Sequence, residues 1–154
     1  ISDQVSSRGL KTVADLGCGV GRLGLLLGFL HPEVKFVGLD LVSLRISAAQ
    51  AAARRWGFED RIQFREQDLL DESKPLPKTD LYYIVGPTTF DDINESVVAR
   101  LTPQRGQSTF YVASLLPRTI KILNRTPWLV LRANLAAGTS DYALPLYESS
   151  PNRP

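Results

Sequence analysis

No methionine occurs anywhere in these 154 residues, not even at position 1, and there is one cysteine and one histidine. The lone Cys18 excludes an internal disulfide framework and a cysteine-based zinc site, and its reading is a reducing, cytoplasmic compartment. A chain without an initiating Met reads as trimmed or processed, and only ten residues precede Lys11, where the first strand is expected. No apolar run approaches the roughly 20 residues of a membrane span, and the N-terminus lacks the basic-then-apolar order of a signal peptide. Neither charge sign dominates, the net charge being +2. Its distribution is uneven: residues 1–99 hold 11 basic and 14 acidic side chains, residues 100–154 hold 7 and 2. A basic C-terminal part suits an acidic partner; scattered surface charge is the plainer reading.

What is present is ordinary for a globular chain, 44% apolar and 22% charged, and its length suits one domain over 1–154. The most informative stretch is Val13-Ala14-Asp15-Leu16-Gly17-Cys18-Gly19-Val20-Gly21-Arg22. Val13 to Leu16 reads as a buried strand end, and the alternate glycines allow a sharp turn at positions where a Cβ would meet a closely approaching ligand. From Gly21 to Leu30, Leu23, Leu26, Leu27 and Leu30 recur at helical spacing. A strand, a glycine turn and a helix N-terminus together form a nucleotide cradle. Asp15, two residues ahead of the first glycine, would repel a diphosphate and suits a cationic ligand. S-adenosyl-L-methionine (AdoMet) is one, with an α-ammonium, a sulfonium and no pyrophosphate.

Three further apolar runs end at the residues such a ligand needs. Lys35 to Leu39 ends in Asp40, near the ~20-residue spacing of a ribose-binding carboxylate. Ile62 to Arg65 leads to Gln67-Asp68-Leu69, where an acid accepts from an adenine amine and the Leu69 N–H faces a ring nitrogen. Asp80 to Val85 leads to Gly86-Pro87. Each acid alone could be a solvated loop carboxylate; it is their order along the chain that makes the pattern.

From about Lys11 to Ser114 the chain resembles the class I, seven-strand, AdoMet-dependent methyltransferases. Asp15-Leu16-Gly17-Cys18-Gly19-Val20-Gly21 resembles their first motif, Gly38-Leu39-Asp40 the next, and Gln67-Asp68-Leu69 the adenine motif. The resemblance implies an α/β fold: a doubly wound, Rossmann-like seven-stranded mixed sheet with a terminal antiparallel hairpin. It implies AdoMet as cofactor, held by Asp15, Gly17, Cys18, Gly19, Gly21, Asp40, Leu41, Asp68, Leu69 and Val85. It also implies an N-terminal lid over the cofactor, which is expected to be absent from this chain.

The remaining elements follow from local pattern. Ser43 is placed to cap a helix reaching Trp56, with Leu44, Ala48, Ala51, Ala52 and Trp56 inward and Arg45, Arg54 and Arg55 outward. Pro75 and Pro77 argue against a crossover helix between Leu70 and Lys78. Thr89-Phe90-Asp91-Asp92 opens a helix in the manner of a capping box, with Ile93, Val97, Val98 and Leu101 inward. Gln107 to Ala113, Trp128 to Ala133 and Tyr142 to Tyr147 read as strands, the last two around a turn at 136–139. Residues 149–154 are expected to fray.

Methyl transfer needs alignment and exclusion of water more than a catalytic motif, and no catalytic residue is assigned. Cys18 reads as a packing residue and His31 as a helix end on the far side of the sheet. Val85-Gly86-Pro87-Thr88 lacks the Asn/Asp-Pro-Pro-Tyr that marks methylation of nucleobase amines in this family, and no metal site is expected. Tyr82, Tyr83 and Phe90 give a faint resemblance to seven-strand protein lysine methyltransferases, their aromatic faces suiting an ammonium channel; as plain core residues they mean nothing of the kind. The acceptor therefore stays open between a protein lysine, a small molecule and RNA, beside the alternative of an inactive AdoMet-binding scaffold. Arg118, Lys121 and Arg125 would share one helix face as a candidate anion patch.

Overall fold

A seven-stranded sheet in the order β3-β2-β1-β4-β5-β7-β6 forms the centre of the molecule. The structure, a computed structural model, describes residues 1–85, 90–102, 108–136 and 143–150. The strands are β1 Thr12–Leu16, β2 Lys35–Asp40, β3 Ile62–Glu66, β4 Leu81–Tyr83, β5 Tyr111–Ala113, β6 Leu129–Ala136 and β7 Ala143–Ser149. The helices are α1 Ser2–Arg8, α2 Arg22–Leu30, α3 Ser43–Arg55, α4 Asp91–Ala99 and α5 Pro117–Arg125. β7 pairs antiparallel with both β5 and β6, and the pairings among β1 to β5 are all parallel. This is the expected doubly wound mixed sheet with its terminal hairpin.

Side-chain alternation along the strands feeds two cores. Val13, Phe36, Ile62 and Leu81 pack with Val5, Leu27, Ile46 and Ala49 from α1, α2 and α3. Ala14, Leu16, Tyr82 and Val112 pack with Val97, Ile122 and Leu123 from α4 and α5. With helices on both faces, the strand ends are what remains open. Strand order reverses at β1, which pairs β2 on one side and β4 on the other. In open parallel sheets that switch point, at the C-terminal strand ends, is where ligands bind.

Several local expectations are corrected. The buried face of α2 is Gly24, Leu27 and Gly28, while Leu26 and Leu30 are exposed. A Cβ at Gly24 would stand 2.5 Å from the Phe36 ring and one at Gly28 2.5 Å from Phe58, so aromatic rings fill what leucines would occupy. The inner stripe of α3 is Ile46, Ala49 and Ala53; Leu44 is 80% exposed and Trp56 faces solvent against Phe29. The α3 N-cap is Val42, not Ser43, and the α4 N-cap is Phe90, neither with a side-chain cap bond. Thr89, the expected capping residue, lies outside the described residues, as do Gln107 and the expected hairpin turn beyond Ala136. Ser149 is not frayed: it is a buried end of β7 whose Oγ accepts the Phe110 N–H at 2.9 Å.

Residues 67–80 form no helix, as the two prolines predict. Leu76 is buried there, and Tyr82 Oη donates to the Pro77 carbonyl at 2.7 Å. The short α1 had no counterpart in the sequence reading. Val5 anchors it in the core, and Ser2 Oγ bonds His31 Nε2 at 2.7 Å. His31 is the α2 C-cap, so both lie at the edge of the sheet opposite the C-terminal strand ends, where His31 was expected.

Candidate cofactor site

Gly17, Gly19 and Gly21 all adopt left-handed φ, at 96°, 56° and 79°, where a side chain is strained. The turn they make is fastened to β2. Gly17 and Cys18 N–H groups both donate to the Leu39 carbonyl, at 2.8 and 2.9 Å. Gly19 N–H donates to Asp40 Oδ2 and Val42 N–H to Asp40 Oδ1, each at 2.9 Å. Asp40 thus joins the β1–α2 and β2–α3 connections, and each of its oxygens keeps a lone pair for a ligand hydroxyl.

Beside this lock, a cavity of about 350 Å³ opens at the C-terminal strand ends. Gly17 forms its floor. Asp40, Leu41, Val42 and Arg45 form one wall, Gln67 to Leu70 another, and the N-cap Phe90 with Ile93 and Val97 of α4 close it. Five of the expected residues therefore meet here: Gly17, Asp40, Leu41, Asp68 and Leu69. Leu69 is buried, whereas Asp68 is exposed and its Oδ1 accepts the Leu70 N–H at 2.8 Å. Arg45, read as pointing outward, reaches back to 3.9 Å from Asp40. The α4 residues were expected only as core; nothing in their spacing tells cavity wall from interior.

The other expected residues divide by role. Gly21 caps α2, and a Cβ there would sit 2.5 Å from the Phe64 ring and 2.9 Å from Ala49, so packing alone demands its glycine. A Cβ on Gly19 would meet nothing within 4 Å. Cys18 is buried beneath the turn, its Sγ 2.8 Å from where a Gly38 Cβ would be. Burial first, then the charges of Asp15 and Asp40, push its thiol up to about 12, which makes it inert as a nucleophile. Val85 follows β4 half-buried, and the residues 86–89 beyond it lie outside the described set.

Asp15 is buried near the end of β1, and burial, then the Asp40 charge, push its carboxyl up to about 7. It accepts no hydrogen bond from a described residue. A nearby cation would favour the charged form of such a buried acid, where burial and the second acid disfavour it. Asp15 lies outside the cavity lining, which Asp40 and the aliphatic side chains of Leu41, Val42, Ile93 and Val97 share. Among the described residues no group of three or more His, Cys, Asp or Glu is arranged to hold a metal ion.

Residues 7–113 match a family model described as a methyltransferase domain. The chain belongs to that family. A 66-residue stretch is 35% identical to the methyltransferase ungE' of Aspergillus campestris, covering 42% of this chain and 19% of that protein. The match therefore covers less than a fifth of the length of that curated relative. Among solved structures, the magnesium protoporphyrin IX methyltransferase of Synechocystis, with bound AdoMet, superposes at TM-score 0.67 with 19% identity over 96% of this chain and 74% of that one. An RNA methyltransferase of Salinibacter ruber, holding S-adenosyl-L-homocysteine, superposes at 0.73 with 16% identity over 97% and 90%. At such identities these likenesses show the fold: the Rossmann-like, class I methyltransferase sheet.

Proposed function

We propose that residues 1–154 form a single AdoMet-dependent methyltransferase domain that transfers methyl groups to a small-molecule acceptor. The observation that carries the reading is the buried Asp15 next to the glycine turn that Asp40 locks. Asp15 would hold the ammonium, Asp40 the ribose hydroxyls, and Asp68 with Leu69 the adenine edge. Leu41, Val42, Ile93 and Val97 would exclude water from the purine. Bound there, the cofactor supplies a methyl group already activated by its sulfonium. The protein's part is then alignment and desolvation, and no base is assigned.

The acceptor is not inherited from relatives, whose names range from a porphyrin methyltransferase to an RNA methyltransferase. A lysine channel loses Tyr82, which is fully buried, stacked edge-on against Phe110 and bonded to the Pro77 carbonyl, so of its three aromatics Tyr83 and Phe90 stay partly exposed. RNA loses support too, since Arg118 and Arg125 are paired with α4 acids, 3.3 Å from Asp91 and 3.2 Å from Glu95. Phe90, 64% exposed at the cavity mouth, offers an apolar surface for a small acceptor. A cytoplasmic site of action belongs to this reading, supported by the single, unpaired Cys18. No described helix is long and apolar enough to cross a membrane.

Calorimetric titration with AdoMet, S-adenosyl-L-homocysteine and NAD tests the cofactor: the first two are expected to bind and NAD is not. Transfer of tritiated methyl from AdoMet to fractionated cell extract tests the acceptor. Label in small molecules supports the reading. Label only in protein or RNA overturns its acceptor half, and cofactor binding with no label anywhere leaves the scaffold alternative.

A further inference from the structure

The segment after β3 carries Gln67, Asp68 and Leu69 to the cavity without a helix to hold it; Gln67 N–H donates to the Asp40 carbonyl at 3.0 Å, and beyond Gln67 the segment's backbone bonds are short-range. Asp71 N–H donates to the Asp68 carbonyl at 3.3 Å and Lys74 N–H to that of Asp71 at 3.1 Å. Between Leu69 and Lys74 a long-range side-chain tie comes from Arg100, the C-cap residue of α4. One guanidinium nitrogen donates to the Leu69 carbonyl and the other to the Lys74 carbonyl. Lys74 O also accepts Gln67 Nε2 at 3.3 Å, so a single carbonyl gathers the clamp and a cavity residue.

Arg100 therefore joins two walls of the cavity. Its own helix supplies Ile93 and Val97, and the segment it grips supplies Gln67 to Leu70. Gripping Leu69 through its carbonyl fixes the plane of the 69–70 peptide, and with it the direction in which the neighbouring 68–69 peptide can turn its N–H. We propose that Arg100 is a positioning residue for the adenine subsite, setting the adenine selectivity of the cofactor site without touching the cofactor. The inference rests on the reading of this cavity as the adenosyl site. A planar guanidinium spans two carbonyls at once; the single ammonium of lysine does not reproduce that fork.

The test is calorimetric titration of the full chain with S-adenosyl-L-homocysteine and with S-inosyl-L-homocysteine, which carries a carbonyl in place of the adenine amine. The wild-type chain is expected to prefer the adenine compound tenfold or more. Arg100→Ala is expected to weaken that compound at least tenfold and the inosine compound less than twofold, collapsing the ratio. An equal loss for both would make Arg100 a mere wall support and overturn the proposal, as would an unchanged ratio. If Arg100→Ala proves unfolded by circular dichroism, Arg100→Lys carries the test: a collapsed ratio supports the clamp and a wild-type ratio overturns it. A wild-type chain that binds neither compound overturns the adenosyl reading itself, which separates that failure from a failure of Arg100 alone.

Discussion

Gly19 N–H donates to Asp40 Oδ2 at 2.9 Å, so the acid expected to hold the ribose also holds the glycine turn that cradles the rest of the cofactor. Binding and local structure are coupled through one carboxylate. Asp40→Ala is expected to weaken S-adenosyl-L-homocysteine binding by about 1.5–3 kcal/mol, the range for losing a charged hydrogen-bond partner. Two amides, Gly19 and Val42, lose their acceptor at the same time. The melting temperature of the ligand-free variant should therefore fall as well. An unchanged dissociation constant in calorimetry would show that Asp40 serves the turn alone.

The turn's glycines should separate fold from function. A side chain at Gly19 meets open space and suffers only left-handed backbone strain, on the order of 1–3 kcal/mol. Gly19→Val is thus expected to keep its far-UV dichroism and lose cofactor binding. Gly21→Ala drives a methyl against Phe64 and Ala49, an overpacking cost of about 1–3 kcal/mol on top of the strain. Thermal melts and titrations of both variants check this. A Gly21→Ala chain as stable as the Gly19→Val chain would contradict the packing role.

How much of this was legible in the sequence follows from what each pattern encodes. Strand ends and their acids were readable because short apolar runs bounded by Asp15, Asp40 and Asp68 have one plausible frame. Helix faces were misread where small residues do the packing. Gly24 and Gly28 of α2 lie inward because the rings of Phe36 and Phe58 take up the space, and Ala49 and Ala53 of α3 are buried as well. A leucine stripe at Leu23, Leu26, Leu27 and Leu30 looks like a buried face only when those rings are unknown. The Arg45–Asp40 and Arg100–Leu69 contacts join elements far apart in sequence or fold back across a turn. Such contacts leave no periodic trace.

Asp15 predicts two opposite responses to pH. In the ligand-free protein its carboxyl titrates near 7 rather than near 3.8, so the native state holds a proton that the unfolded chain has released. The stability this gives is full below about pH 4 and is lost as pH rises through about 7. Asp15→Asn should remove that part of the slope, seen as a flatter difference in denaturation midpoint between pH 5 and 8. A bound ammonium reverses the preference and draws the proton off. Cofactor binding near pH 6.5 should then release a proton and tighten as pH rises toward 7. Titration in buffers of different ionisation heat measures this directly; no proton release from the wild-type chain would separate Asp15 from the ammonium.

Arg118 and Arg125 lie 3.3 and 3.2 Å from Asp91 and Glu95, and these pairs brace α5 against α4 on an exposed face. Charge that from sequence looked like an anion patch is partly balanced by acids one helix away. Exposed pairs of this kind contribute about 0.2–1 kcal/mol each. Replacing Arg118, Lys121 and Arg125 together by alanine should therefore cost at most about 2 kcal/mol of stability, and leave S-adenosyl-L-homocysteine binding within twofold. The patch matters for function only if nucleic acid binds there. In that case wild-type affinity for a single-stranded RNA would fall with salt at a slope of about −0.7 per neutralised phosphate, and the triple variant would lose that slope. Filter binding at several salt concentrations distinguishes the two. Equal, weak RNA affinity for both chains is expected, because the guanidinium groups that would meet phosphate already face carboxylates.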